Sequence, residues 1–304
     1  MSAITVGLDG SPESLAAADW AAREAEQRDV PLCLVHADDP PRPMYVPYAG
    51  LPALDVLGVR RAWAADLLRE AETRLAGRHP GLRITSRQVQ EQAVPALLTA
   101  AEDGELLVLG SRGLGTVPGF IVGSVALALV ARAERPVVLV RAGERAEDEH
   151  LPDDAGAGSI TAPYRDIVLG LDVENPNDAV IEFAFEAARR RVARLRAVHG
   201  WTQAASYGYG VALDAGLNLE LAEEIRQGLD DVLRPWQDKF PGVEVSAQAV
   251  VGGAGRHLVH ASRDAALVVV GRKRRQASVG GRIGPVTHGV LQHASAPVAV
   301  VPHD

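Results

Sequence analysis

Short apolar runs alternate along this chain with stretches in which apolar residues return every three or four positions. The alternation predicts strands near 3–8, 31–36, 82–89, 105–109 and 136–141, and helices near 12–28, 58–77, 94–103 and 123–133. Strands alternating with helices imply a parallel sheet joined by crossover helices. Leu106–Leu109 and Val137–Val140 are continuously apolar, as expected of strands covered on both faces. Ser11-Pro12 and Val94-Pro95 suit helix starts, with proline in the first turn.

The pattern then repeats, with strands near 166–171, 194–199, 243–250, 266–270 and 297–301. Ile4-Thr-Val-Gly-Leu-Asp9 returns as Ile167-Val-Leu-Gly-Leu-Asp172, an offset of 163, and Leu34-Val-His36 returns as Ala197-Val-His199. From Pro80 onward the offset is 161, carrying Gly110 to Gly271, Gly123 to Gly284 and Pro136 to Pro297. A near-constant offset over whole halves means domain duplication, because solenoids repeat every 20–50 residues or so. The expected division is residues 1–143, a connecting segment 144–162 without apolar periodicity, and residues 163–304. Residues 38–57 form a second irregular stretch, rich in proline, whose place after the second strand suits a lid or interface.

Composition narrows the function classes. With 47% hydrophobic and 23% charged residues, the chain carries enough apolar surface for two cores. A formal charge of −8 argues against nucleic acid as partner, since a polyanion needs a basic footprint. Cys33 is the single cysteine and lies within an apolar run, so an internal disulfide is impossible and a core role in a reducing compartment is expected. Phe120–Ala131 is too short to span a bilayer and no charged, apolar leader is visible, which predicts a cytoplasmic protein without membrane association.

Candidate chemistry concentrates at residues 110–124, GSRGLGTVPGFIVGS, directly after a predicted buried strand. Gly110, Gly113 and Gly123-Ser124 are spaced Gly-x2-Gly-x9-Gly-Ser. Glycines at a strand exit let the backbone approach a ligand, and a helix start offers free N–H groups to phosphate. The alternative is a tight turn with Ser124 as an N-cap. Gly7, Asp9 and the His36-Ala37 pair reach the same sheet edge, where open α/β sheets bind ligands. Asp9 suits a ribose hydroxyl or Mg2+, or else an Asx turn capping the next helix. His36 reads as an interior histidine, leaving the Ala37 backbone to read a base.

These residues give the chain a resemblance to the universal stress protein family in its tandem form, carried by the glycine loop, by Val6-Gly-Leu-Asp-Gly-Ser-Pro12 and by Leu34-Val-His36. The resemblance implies an adenine nucleotide alpha hydrolase-like α/β fold, two doubly wound domains each with a five-stranded parallel sheet in order 3-2-1-4-5. It also implies ATP along the strand ends, possible Mg2+ at Asp9, Ala37 at adenine, and Gly110, Gly113, Gly123 and Ser124 at the phosphates. Pseudo-dimers or dimers through the last strand and a regulatory stress role follow from the same likeness. The lack of a Gly-x4-Gly-Lys-Ser/Thr loop, with Asp9 the one evident polar helper, leaves slow ATP hydrolysis as a second class with weak turnover expected. A scaffold that binds no nucleotide is the rival class. Gln92 departs locally from the family pattern.

The second half keeps Gly170, Asp172, Gly271 and Gly284 but replaces the Gly113 position with Arg274 and the Ser124 position with Pro285. If the Gly113 position needs positive φ, arginine there costs about 1–2 kcal/mol. Pro285 removes one N–H and one hydroxyl, each worth about 1.5–3 kcal/mol to an anion. A degenerate second site is expected, with Pro285 as a first helical residue; the rival is an anion held by Arg272, Lys273, Arg274, Arg275 and Arg282.

Overall fold

A computed structural model describes residues 2–38, 56–111, 122–153, 156, 158–201, 215–274 and 283–304. It contains two compact units, Met1–Gly113 with Val122–Glu144, and Leu114–Ile121 with Arg145–Asp304.

The first unit runs β1 (Ile4–Gly7), α1 (Pro12–Arg28), β2 (Leu32–Ala37), α2 (Val56–Arg78), β3 (Ile84–Val89), α3 (Ala93–Glu102), β4 (Leu106–Ser111), α4 (Ser124–Arg132) and β5 (Val137–Arg141). Its sheet has the order β3-β2-β1-β4-β5, and every described pairing in it is parallel. This is the expected order. Parallel neighbours need crossovers of one hand, so α1 and α2 pack together on one face and α3 and α4 on the other. All strand carboxyl ends therefore share one edge, which holds the exits of β1, β2 and β4.

Local chemistry explains the first helix. Ser11 caps it by accepting from the Ser14 N–H at 3.2 Å, Pro12 occupies the first turn, and the helix ends where Asp29 turns left-handed at φ 54°. Trp20 and the alanines at 17, 18, 21, 22 and 25 are buried. Leu106–Leu109 and Val137–Val140 are buried along their whole lengths, and Cys33 is buried and free.

The second unit repeats the plan with β6 (Asp166–Gly170), α5 (Asp178–Arg191), β7 (Leu195–Trp201), α6 (Ala215–Lys239), β8 (Val245–Val251), α7 (Ala254–Ala261), β9 (Ala265–Lys273), α8 (Pro285–His293) and β10 (Val298–His303). Its order is β8-β7-β6-β9-β10, again parallel. Two differences fall at the carboxyl edge. α5 starts only at Asp178, capped by Asn177, so the turn after β6 is longer than the turn after β1. β9 runs on to Lys273 because Arg272 and Lys273 pair with Pro302 and His303 of β10.

The segment ahead of β6 has structure of its own where it is described. Ala146–Glu149 form a 3-10 turn, and His150 bridges Tyr164 in antiparallel fashion. The buried Glu149 carboxylate lies 3.8 Å from the buried Arg191 guanidinium of α5. His150 Nδ1–H donates to the Ala162 carbonyl at 2.6 Å, and its ring packs on Tyr164 with centroids 4.0 Å apart.

Candidate functional site

The turn after β1 is a closed hydrogen-bond circuit. Asp9 Oδ1 accepts from the Ser11 N–H at 3.0 Å and the Ser11 hydroxyl at 2.5 Å. The Asp9 N–H donates to Ser14 Oγ at 3.3 Å, and Ser14 Oγ–H donates to the Ser11 carbonyl at 3.0 Å. An Asx turn is thus present. It is made through Oδ1, and Asp9 lies at the exposed edge. Partial burial would push this carboxyl up, but the bonds from Ser11 and then Ser14 outweigh it and hold the pKa below the ordinary 3.8.

The sign follows directly. A lowered folded pKa stabilises the turn above the unfolded pKa, and that contribution is lost as pH falls through the folded value. Ser11→Ala removes the hydroxyl bond, so the Asp9 titration midpoint, followed by carboxyl carbon NMR, is expected to rise toward the ordinary value. An unmoved midpoint would mean that Ser11 does not hold this carboxylate.

His36 is the interior histidine its neighbours imply. It is buried, and because a carbonyl only accepts, its Nδ1–H donates to the Leu8 carbonyl at 2.7 Å. His199 repeats the arrangement at 2.9 Å from the Leu171 carbonyl. Ala37, the last residue of β2, is half-buried opposite Val89. Beside it stand two residues the sequence reading missed. Asp38 is buried and paired with Arg60 of α2 at 2.8 Å, and Trp63 of α2 packs edge-on to His36 with centroids 5.6 Å apart. Their partners are more than 20 positions away in sequence, so no local motif announces them.

The glycines divide by cause. A Cβ on Gly110 would lie 2.5 Å from the Glu13 carbonyl carbon and 2.6 Å from the Ser14 nitrogen, so glycine here admits the start of α1. Gly7 is packed against Leu109 and Leu97 in the same sense, and Gly170 against Leu258. Gly123 differs: nothing lies within 4 Å of its missing side chain and its φ of −58° suits any residue. Gly113 and the loop 112–121 lie outside the described residues, as does the proline-rich stretch 39–55.

Gly123, not Ser124, is the N-cap of α4, which removes the capping alternative for that serine. Ser124 is the first helical residue, exposed, with no hydrogen bond to a described residue. Leu127 is the first residue whose N–H returns to the helix, bonding Gly123 O at 3.0 Å. The N–H groups of residues 123–126 therefore have no intrahelical acceptor.

The second unit keeps the glycine cap and the histidine but differs at the aspartate and at the first helical residue. Asp172 spends both oxygens, Oδ1 on the Glu174 N–H at 3.1 Å and Oδ2 on Asn175 Nδ2 at 3.3 Å. Gly284 caps α8, surrounded by open space, and Pro285 takes the first helical position as expected. Thr287 Oγ1–H donates to the Gly271 carbonyl at 2.9 Å, tying α8 down. A Cβ on Gly271 would meet His303 Nε2 at 2.8 Å.

Arg274 does not incur the backbone strain considered above. Asp29 and Val192 are the non-glycine residues with positive φ among the described residues. Arg274 instead prolongs the edge of β9, donating its N–H to the His303 carbonyl and its guanidinium to Asp304 at 3.1 Å. Arg272 is buried, and burial followed by the like charge of Arg274 pulls its pKa below the ordinary range.

Among the described residues, no group of three or more His, Cys, Asp or Glu side chains could hold a metal, and no helix is long and apolar enough to cross a membrane. The Asp9 carboxylate alone fits Mg2+ only where phosphate oxygens and water complete the coordination.

A doubly wound α/β module with an open helix start at the carboxyl edge of its sheet defines the class: folds of this kind take anionic ligands there. The sequence profile of the universal stress protein family matches residues 1–141 and again 163–302, and the chain belongs to that family, in tandem form. A universal stress protein of Mycobacterium tuberculosis strain H37Rv is 33% identical over 98% of this chain and 96% of its own. The crystal structure of a universal stress protein from Archaeoglobus fulgidus DSM 4304 shares the fold, with a TM-score of 0.69 at 14% identity over 99% of this chain and 98% of that one. Over 47% of this chain and 98% of the other, a universal stress protein solved in complex with cAMP is 26% identical, with a TM-score of 0.35.

Proposed function

We propose that the first unit binds ATP and that the protein is a nucleotide-dependent regulator of a stress response, with a weaker or vacant counterpart in the second unit. The observation that carries this reading is the start of α4. N–H groups at residues 123–126 without an intrahelical acceptor, the exposed Ser124 hydroxyl and a Gly123 with no described atom within 4 Å of its missing side chain come together there. Helix starts of this kind attract phosphate through their N–H groups and dipole. Asp9 Oδ2 would accept from a ribose hydroxyl, and the end of β2 at Ala37 offers backbone to a base. Mg2+, where present, would sit between Asp9 and the phosphates. Residues 1–143 and 163–304 act as the two domains in this reading, in the cytoplasm.

Mass spectrometry of small molecules released on denaturation, followed by titration calorimetry of the stripped protein with ATP, tests it. One tight site per chain is expected, and Ser124→Ala should weaken it by roughly tenfold, the worth of one charge-assisted hydrogen bond. No heat of binding for any adenine nucleotide would end this reading.

A further inference from the structure

The helix α2 carries an exposed tryptophan where no core needs one. Trp63 is 52% exposed, yet its other half is committed to the turn after β1. A Cβ on Gly10 would stand 3.1 Å from Trp63 Cζ2 and 3.3 Å from its Cη2, so the indole lies directly on the glycine between Asp9 and Ser11. Gly10 holds φ +82°, the conformation that lets the Ser11 N–H reach Asp9 Oδ1 at 3.0 Å. His36, against which Trp63 packs edge-on, bonds the carbonyl of Leu8 on the other side of Asp9. The indole and the imidazole thus bear on the turn from both flanks of the aspartate.

In the second unit, bulk and space change sides. Val173 occupies the position of Gly10, and it packs against Gly228 of α6, whose Cβ would lie 3.3 Å from Val173 Cγ1. His199 still bonds the Leu171 carbonyl, and Asp172 is engaged by Glu174 and Asn175. Among the described residues, the first unit combines an aspartate oxygen outside the turn with a tryptophan lying on that turn.

We propose that Trp63 is a positioning residue for the nucleotide site, bracing the Asp9-Gly10-Ser11 turn so that Asp9 Oδ2 faces the ligand. The inference rests on the nucleotide reading for its effect on affinity, while the brace itself is a property of the free protein. Removing the indole leaves Gly10 uncovered, and glycine has the widest choice of backbone conformations once a restraint is lifted. The aspartate then spends part of its time out of register with the ligand.

The experiment compares wild type, Trp63→Ala and Trp63→Phe in two measurements on the full chain. In the free proteins, hydrogen exchange of the amides at residues 9–11 should quicken in Trp63→Ala and, to a smaller extent, in Trp63→Phe, whose shorter ring lacks the Cζ2 and Cη2 atoms that lie on Gly10. In calorimetry with ATP, Trp63→Ala should bind on the order of tenfold more weakly, with the unfolding midpoint of the free protein unchanged and Trp63→Phe between Trp63→Ala and wild type. A plain loss of fold stability would instead lower that midpoint and affect both measurements together. Unaltered exchange in Trp63→Ala overturns the brace whether or not ATP binds. Altered exchange with unaltered ATP affinity overturns its role in the site. If the wild type binds no ATP while exchange responds as described, the nucleotide reading fails and the brace stands.

Discussion

Gly110→Ala is expected to destabilise the first unit by about 3 kcal/mol, whereas Gly123→Ala leaves stability within about 1 kcal/mol of wild type and weakens ATP binding by about tenfold. The two glycines belong to one sequence motif, but different neighbours surround them. A methyl on Gly110 would be driven to 2.5 Å from the backbone of Glu13, where no side-chain rotation can relieve it, and the start of α1 must move. That movement also disturbs Ser14, whose hydroxyl closes the Asp9 turn. A methyl on Gly123 meets no atom within 4 Å, and its only structural penalty is alanine's poorer quality as an N-cap. Urea unfolding and calorimetry on the same two variants read both quantities. Equal stability losses would mean that Gly123 serves the fold, and unimpaired ATP binding in Gly123→Ala would remove it from the ligand site.

Glu149→Ala should cost the second unit about 3–5 kcal/mol, the usual penalty for leaving one buried charge without its partner. Both side chains are almost wholly enclosed, Arg191 at 1% exposure and Glu149 at 2%. Tyr164 offers the guanidinium a ring face 5.8 Å away, which lessens the loss without replacing a carboxylate. The double variant Glu149→Leu with Arg191→Met removes both charges and should be far closer to wild type, because paired buried ions and apolar residues of like volume are often near equivalent. Urea midpoints of the three proteins decide it. A single variant as stable as wild type would mean that water or another group reaches Arg191.

The fold was legible because its signals are local. Ser11-Pro12 starts α1 where the cap and proline place it, and continuous apolar runs mark β4 and β5 as strands covered on both faces. The strand order came with the family resemblance rather than from the periodicity. What escaped the sequence depends on contacts between distant residues. The reason for Gly110 lies at Glu13, 97 positions earlier, and the reason for Trp63 lies at Gly10. Arg272 and Lys273 lie past the strand expected near 266–270, but in the structure they continue β9 because Pro302 and His303 extend beside them. The acidic stretch after Arg145 reads as a connector, and it conceals a buried carboxylate because its partner stands on α5. Ser124 opens α4 as the spacing implies, with Gly123 as its cap, so the capping alternative for the serine falls away.

The exchange of bulk between Gly10 with Trp63 and Val173 with Gly228 also restricts how the duplicated halves can share sequence. Recombination that copied the second turn into the first module would set a branched side chain against an indole and force it into a left-handed backbone. The reverse copy would leave a void beneath the turn. Each module has become tied to its own helix, so the halves can drift apart but cannot readily be homogenised.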